Sequence, residues 1–461
     1  MTRTRIDTRA LIDESPYGSY QVWTFILCCL AMMIDGYDVQ MIGVAAAGIR
    51  ETLKLQPATL GVVITAGQVG VAVGALFLAP ASDLIGRKWL MILCCFVFGV
   101  FSLWTAFADT VPALVTLRVL AGIGLGGIGP AALALGSEHA PKRLKASIPT
   151  WIWTALPVGG MGAGFSAVYL LPIGGWPALF IAAGVVPLVL MVVLALFLPE
   201  SIVFLGARGA SQERIHKIAR KIAPTLSPDT ILYSSEEKLP GVPLKHLFTE
   251  GRALGTILLW LLFFIDYGIL VFFLSWVPTM IKMTTGSTTQ LGTSLAFWNI
   301  GSIVCGILIG RAVDKVGYYR VLPWTFIIVA LSMWAIGATL TAPFWLLLCA
   351  ITLQGGTAGG SGNALMALAA NSYPAAVRST GVGYAYAIGG RSGAFLAPLM
   401  GGFLLQMQWT PTAMCYLVGT PALLGTVALL ILKTQPHFRK GMPEEIAPAP
   451  APAVGVVGGT P

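Results

Sequence analysis

Ionisable side chains are scarce in this sequence: Asp, Glu, Lys and Arg supply 10% of its 461 residues, against roughly 25% in an ordinary soluble domain. So few charges cannot cover a water-facing surface, which excludes the soluble globular class. Histidine is rarer still, and His139, His216, His246 and His437 all fall between or beyond the apolar segments, leaving proton handling to carboxylates. The seven cysteines (Cys28, Cys29, Cys94, Cys95, Cys305, Cys349, Cys415) lie inside apolar segments without the spacing of a zinc site or a disulfide framework. No nucleophile, metal or cofactor constellation is present, so an embedded enzyme is disfavoured and neither cofactor nor metal is expected. The net charge of +9 is spread over short segments between apolar runs, which argues against a nucleic-acid partner.

What is abundant is apolar length. Hydrophobic residues make up 56% of the chain and the mean hydropathy is +0.82. Apolar segments run over about 20–48, 57–82, 89–108, 112–136, 147–171 and 176–198, then 253–281, 288–312, 320–341, 343–369, 380–405 and 410–433. About 20 residues are needed to cross some 30 Å of hydrocarbon as a helix, and backbone groups in lipid must pair within the segment. The reading is an all-α membrane protein with twelve transmembrane helices. The first run follows a polar lead with no small-residue cleavage site behind a short apolar core, so it is read as a retained span.

Lys and Arg mark one set of connections: Arg87 and Lys88, then Lys142, Arg143 and Lys145, the segment 199–252, Arg311, Lys315 and Arg320, and Arg378. The alternate connections hold little beyond Arg50, Lys54 and Lys282. By the positive-inside rule both termini are cytoplasmic. The expected organisation is a cytoplasmic segment 1–19, a six-helix bundle 20–198, a central cytoplasmic loop 199–252 with an amphipathic helix near 212–222, a second bundle 253–433, and a tail 434–461. The Pro/Ala/Gly-rich end of that tail, 441–461, is too poor in large apolar side chains to fold.

The two bundles share landmarks. Ala79-x-x-x-Asp83-Leu84-x-Gly86-Arg87-Lys88 returns as Gly310-x-x-x-Asp314-Lys315-x-Gly317, offset by 314 − 83 = 231, and Asp35 and Asp266 are separated by the same 231. Ala140-Pro141-x-x-x-Lys145 returns 233 residues later as Tyr373-Pro374-x-x-x-Arg378. Parallel repeats of this kind enclose a midplane site.

Charges inside spans cost at least about 2.5–3.5 kcal/mol each and are the first functional candidates. They are Asp35, Asp38, Asp266, Arg118 and Arg391. Asp35 and Asp38, at i and i+3, share a helix face, a pair suited to carrying a proton or to locking helices through Arg118 or Arg391. Arg391, after Tyr384 and Tyr386, is the first choice to grip a substrate carboxylate. Arg118 fits a ligand contact or an internal ion pair, and Asp266 a ligand contact or a structural acceptor. Asn363, Trp151, Trp153, Tyr384 and Tyr386 offer polar and stacking contacts. At the rim, Asp83, Gly86, Arg87, Lys88 and their counterpart Asp314 read as a latch that opens and closes.

These motifs resemble the signature of the major facilitator superfamily, and the resemblance implies two pseudo-symmetric six-helix bundles. Asp35-Gly36-Tyr37-Asp38, Leu198-Pro199-Glu200-Ser201 and the run from Tyr373 through Arg378-Ser379-Thr380-Gly381 to Gly390-Arg391-x-Gly393 look like the aromatic acid:proton symporters within it. The resemblance covers about 20–435. It implies import of benzoate-like or hydroxybenzoate-like acids with protons across a bacterial inner membrane, by a monomer whose partners are substrate, proton and lipid. It further implies coupling at Asp35 and Asp38 and required charges at Arg118, Glu138, Arg378 and Arg391. The alternative is a carrier, or an exporter, of another organic anion such as muconate, a dicarboxylate or a sugar acid. Ala79 and Leu84 depart from the superfamily turn, Gly175-Trp176-Pro177 from its usual Gly-Trp-Arg, and Asp266 stands where a neutral amide is expected.

Overall fold

A computed structural model of the chain describes residues 5–145, 147–224, 226–227, 230–233, 247–248, 251–373, 378–435 and 438, without the side chains of 5, 79, 80, 83 and 378–380. Among the described residues twelve long helical stretches follow the twelve apolar segments. The first half holds α1 (Ser19–Thr52), α2 (Pro57–Ile85), α3 (Arg87–Thr105), α4 (Val111–His139), α5 (Ser147–Tyr169) and α6 (Leu171–Phe197). The second holds α7 (Ala253–Thr285), α8 (Thr288–Val316), α9 (Tyr318–Thr339), α10 (Phe344–Ser372), α11 (Arg378–Gln406 in three consecutive pieces) and α12 (Pro411–Gly419 continuing as Pro421–Thr434). Ten of these stretches are long and apolar enough to cross a membrane. The other two, α5 and α10, have the length but are diluted by Gly, Ser, Thr, Gln and Asn.

Local chemistry explains the breaks. Pro57, Pro411 and Pro421 open helices, where the missing N–H is not needed. In α6 the helix is interrupted at Gly175, whose φ of 62° is a left-handed conformation open to glycine at little cost. The span then restarts at Trp176-Pro177. Gly86 and Gly317, each ending one helix and starting the next, have φ of 99° and 86°, so the repeated turn is repeated in backbone conformation too.

The packing within the halves is also repeated: α1 on α5, α2 on α4 and α3 on α6 in the first, α7 on α11, α8 on α10 and α9 on α12 in the second. The halves meet through α1 with α7, α2 with α11 and α5 with α8. Glycine permits this approach: a Cβ at Gly43 would strike the Leu274 carbonyl, one at Gly61 the Pro398 carbonyl, and Gly164 and Gly292 face each other's backbone. Thr279 adds a hydroxyl bond to the Gly43 carbonyl at 3.3 Å. All these contacts lie toward the end where α1 turns into α2 and α7 into α8. At the opposite end, near the latch turns, Gly310 and Gly383 face open space.

One feature outside the spans was not read from the sequence. A strand at Arg5–Asp7 pairs in parallel with Ile231–Tyr233, and with helices Thr8–Glu14, Ile202–Ala207 and Gln212–Ile222 it surrounds a small apolar cluster of its own. His139, expected between apolar segments, is the buried last residue of α4, and His216 lies in the expected helix Gln212–Ile222. The tail 441–461, with His246 and His437, lies outside the described residues.

Because the closed end depends on glycine at the crossing of α5 and α8, Gly292→Leu should cost this conformation about 1–3 kcal/mol through overpacking. Spin labels replacing the exposed Glu51 and Met283, in a chain cleared of its native cysteines, should report a longer and broader distance distribution in the variant. An unchanged distribution would contradict the packing argument.

Candidate functional site

The charges inside the spans are distributed among three settings. In the first half, Arg118 of α4 donates through Nη1 to Asp38 Oδ1 at 2.8 Å and through Nη2 to Oδ2 at 2.9 Å. This two-pronged pair is nearly closed to solvent, with Asp38 4% and Arg118 2% exposed. The guanidinium also stands over the Phe180 ring at 5.6 Å. Gly67 of α2 makes room for it, since a Cβ there would crowd Nη2. The i, i+3 spacing does put Asp35 and Asp38 on one face, but of the two it is Asp38 that pairs with Arg118.

Asp35 is half-buried and lies in electrostatic range of Arg391, on α11 of the other half, as well as of Asp38. Arg391 stands over the Tyr386 ring at 5.0 Å, and Tyr386 meets Tyr267 of α7 edge-on at 5.2 Å. The segment Ala385–Gly390 just before Arg391 is a π-helical turn. Such turns carry an extra residue and are frequent at functional sites. Small residues allow it: Gly389 packs on the Trp260 carbonyl and Gly393 on that of Phe264, so α11 leans against α7 with the charged residue between. The result is one cation, flanked by phenol rings, facing an acid across the two halves.

The third setting is Asp266 in α7, 2% exposed. Its Oδ1 lies 2.5 Å from the Ser361 hydroxyl of α10, and Oδ2 meets no donor among the described residues. Of the remaining predicted contacts, Tyr384 is exposed about two turns before Arg391, Asn363 is exposed on α10 near Gly306 of α8, and Trp153 is half-buried against the first-half core. Trp151 is exposed and edge-on to Phe25.

At the rim, Arg87 binds Glu138 of α4 through Nε at 3.0 Å and Nη2 at 2.9 Å, and stands over Phe204 at 5.0 Å. Lys88 donates to the Ala195 carbonyl at 2.9 Å. The side chains of Asp83 and Arg378 lie outside the described residues, and Asp314 is exposed. The second half repeats the latch in neutral form. Tyr318 and Asn371 occupy the positions of Arg87 and Glu138 (318 − 87 = 231; 371 − 138 = 233), and Asn371 donates to the Tyr318 hydroxyl at 2.9 Å.

Two functional groupings escaped sequence reasoning. Glu200 Oε1 accepts from the backbone N–H of Arg87 at 3.1 Å, of Lys88 at 3.4 Å and of Ser201 at 3.1 Å, an anion at the N-terminus of α3. Burial pushes its carboxyl up, while those N–H groups and Arg87 act in the other direction. Only its place in the Leu198–Ser201 motif hinted at a role. The second is a reciprocal amide pair between Gln40 of α1 and Asn299 of α8, 2.9 Å in both directions and fully buried across the halves. The only available signal was a polar residue in each of two apolar runs.

Removing one member of a buried ion pair leaves the other uncompensated, at about 3–5 kcal/mol, whereas replacing both can be near neutral. In detergent, Asp38→Leu and Arg118→Leu should therefore each lower the thermal midpoint clearly, and the double variant should recover most of the loss. Additive losses would show that the two side chains contribute independently.

The comparisons with known proteins agree with this architecture. The family model described as Major Facilitator Superfamily matches residues 28–296 and 259–458. The chain is 32% identical over 440 residues to the 4-hydroxybenzoate transporter PcaK of Pseudomonas aeruginosa, covering 95% of this chain and 98% of that one. It is 33% identical over 426 residues to a gallate transporter of Pseudomonas putida, covering 92% and 94%, and 31% identical over 456 residues to a benzoate transport protein of Acinetobacter baylyi, covering 96% and 95%. Among solved structures, the inward-open xylose transporter XylE of E. coli superposes with a TM-score of 0.71 at 18% identity, covering 90% of this chain and 96% of that one, which supports the fold alone. The chain is a multi-pass membrane protein and belongs to the major facilitator superfamily of transporters.

Proposed function

We propose that this carrier imports aromatic carboxylates together with protons across a bacterial inner membrane, acting as a monomer with both termini in the cytoplasm. The observation that carries the reading is Arg391, held over Tyr386 and facing Asp35 across the two halves. A guanidinium offers a planar donor pair to a carboxylate, and the neighbouring phenol rings suit an aromatic ring. The names of the relatives, transporters of 4-hydroxybenzoate, gallate and benzoate, support the substrate class.

Coupling follows from competition for one cation. When a substrate carboxylate engages Arg391, Asp35 loses its compensation, and an ionised carboxyl in an apolar surrounding is better neutralised by a proton than left charged. Proton and anion therefore load together. Asp38 stays with Arg118 and contributes its field beside Asp35. Rocking of the halves about the contacts of α1 with α7, α2 with α11 and α5 with α8 exposes the site alternately, and Arg87, Glu138 and Glu200 hold the first half's rim. With the Lys- and Arg-rich connections taken as the cytoplasmic ones, the latch end faces the cytoplasm.

In proteoliposomes, uptake of labelled 4-hydroxybenzoate should rise with an inward proton gradient and be competed by benzoate and gallate more than by muconate or gluconate. Charge-assisted hydrogen bonds contribute about 1.5–3 kcal/mol, so Arg391→Ala should raise the half-saturation concentration at least about tenfold. Asp35→Asn should lose gradient-driven accumulation while keeping substrate exchange. Full uphill accumulation by Asp35→Asn would sink the coupling scheme, and competition by non-aromatic acids alone would move the substrate class.

A further inference from the structure

Asp266 has a hydrogen-bond geometry that leaves an ionised carboxylate with one oxygen unpartnered among the described residues. The Ser361 hydroxyl lies 2.5 Å from Asp266 Oδ1 and 3.1 Å from the Ala358 carbonyl, and it carries a single hydrogen. If that hydrogen goes to the carbonyl, which can only accept, the contact with Oδ1 must be donated from the acid. If it goes to Oδ1, the other oxygen remains a buried anion, with no donor to Oδ2 among the described residues. A relay from Asp266 O–H to Ser361 Oγ, and from Ser361 O–H to the Ala358 carbonyl, uses both hydrogens and both acceptors.

The surroundings agree. No charged side chain contacts Asp266 from its own α7 or from α10, where its neighbours are Ser361 and Gly362. On α11, Arg391 is linked to this region by Tyr267, itself in electrostatic range of both Asp266 and Arg391 and hydrogen-bonded to Tyr386. Gly362 keeps the Oδ2 side clear, since a Cβ there would stand 3.0 Å from that oxygen. Oδ2 is itself closed to solvent in this conformation.

We propose that Asp266 is a second proton-carrying site, separate from Asp35, loaded as the neutral acid in the conformation described here. Loading forms one O–H bond on the carboxylate, and release returns that proton to water reaching Oδ2. The inference rests on the proton-coupled reading above and deepens it, because it gives the second half its own coupled proton.

Two measurements test it. The first is the infrared C=O stretch of a protonated carboxylic acid in the full chain, reconstituted at neutral pH without substrate. A band lost in Asp266→Asn and shifted in Ser361→Ala is expected, and a wild-type spectrum with no such band overturns the proposal whatever the substrate is. The second is the proton-to-substrate ratio from the reversal potential, using 4-hydroxybenzoate as probe. The ratio should fall by one proton in Asp266→Asn and in Ser361→Ala should be reduced or become dependent on pH. An unchanged ratio in both variants, or a change confined to the preference for hydroxylated over plain benzoate, would make Asp266 a structural or substrate-binding group instead. The infrared band together with no wild-type uptake of any aromatic acid would leave the protonated acid standing and fail the substrate assignment.

Discussion

An ionised group inside hydrocarbon must find compensation within the protein, and the cost of failing to do so, several kcal/mol for a charge, organises this molecule. Asp38 and Arg118 settle the matter completely by closing on each other in two parallel hydrogen bonds. Asp35 is half-buried and lies in electrostatic range of Arg391 across the boundary between the halves, without a closed ion pair. Asp266 pairs with no cation among the described residues, meets the Ser361 hydroxyl through Oδ1 and leaves Oδ2 unpartnered, the setting in which the neutral relay is proposed. In the proposed cycle the buried pair stays shut as a strut, whereas the cation that a substrate can claim acts as the coupling device. The same electrostatic constraint produces both.

The duplicated scaffold carries unequal chemistry. The glycine turns at Gly86 and Gly317 and the intra-half helix pairings repeat closely. The side chains hung on them do not. The ion pair Arg87–Glu138 becomes the neutral pair Tyr318–Asn371, and the positions of Asp38 and Arg118 are held in the second half by the buried Ile269 and Ile351 (38 + 231; 118 + 233). The rigid electrostatics are thus concentrated in the first half. Arg391, the π-helical turn beside it and Asp266 belong to the second. In the proposed cycle the first half supplies a stiff frame and the second supplies the groups whose partners change.

The helices, their repeat and the identity of the charged residues were legible in the sequence because apolar length and intramembrane charge are local, costly features. Which acid meets which base was not, because that is fixed by the approach of α1 to α4 and α11. Adjacent spacing therefore suggested an Asp35–Asp38 carboxylate pair, and the structure keeps the two in electrostatic range while pairing Asp38 with Arg118 and leaving Asp35 in range of Arg391. The Gln40–Asn299 amide pair spans 259 residues and carries no charge to mark it. The strand Arg5–Asp7 is three residues long and has no periodicity to detect. Gly389 and Gly393 were visible as small residues, but the π-helical turn they permit depends on the backbone of α7 lying against them.

The central claim is that the substrate carboxylate takes Arg391 from Asp35 while the Asp38–Arg118 pair stays shut. The most direct test is a cryo-electron microscopy structure of the carrier with 4-hydroxybenzoate bound. The account predicts the carboxylate within hydrogen-bond distance of the Arg391 guanidinium, the ring beside Tyr386, and Arg118 still doubly bonded to Asp38. A ligand seated on Arg118 with Asp38 displaced, or bound away from both arginines, would contradict it.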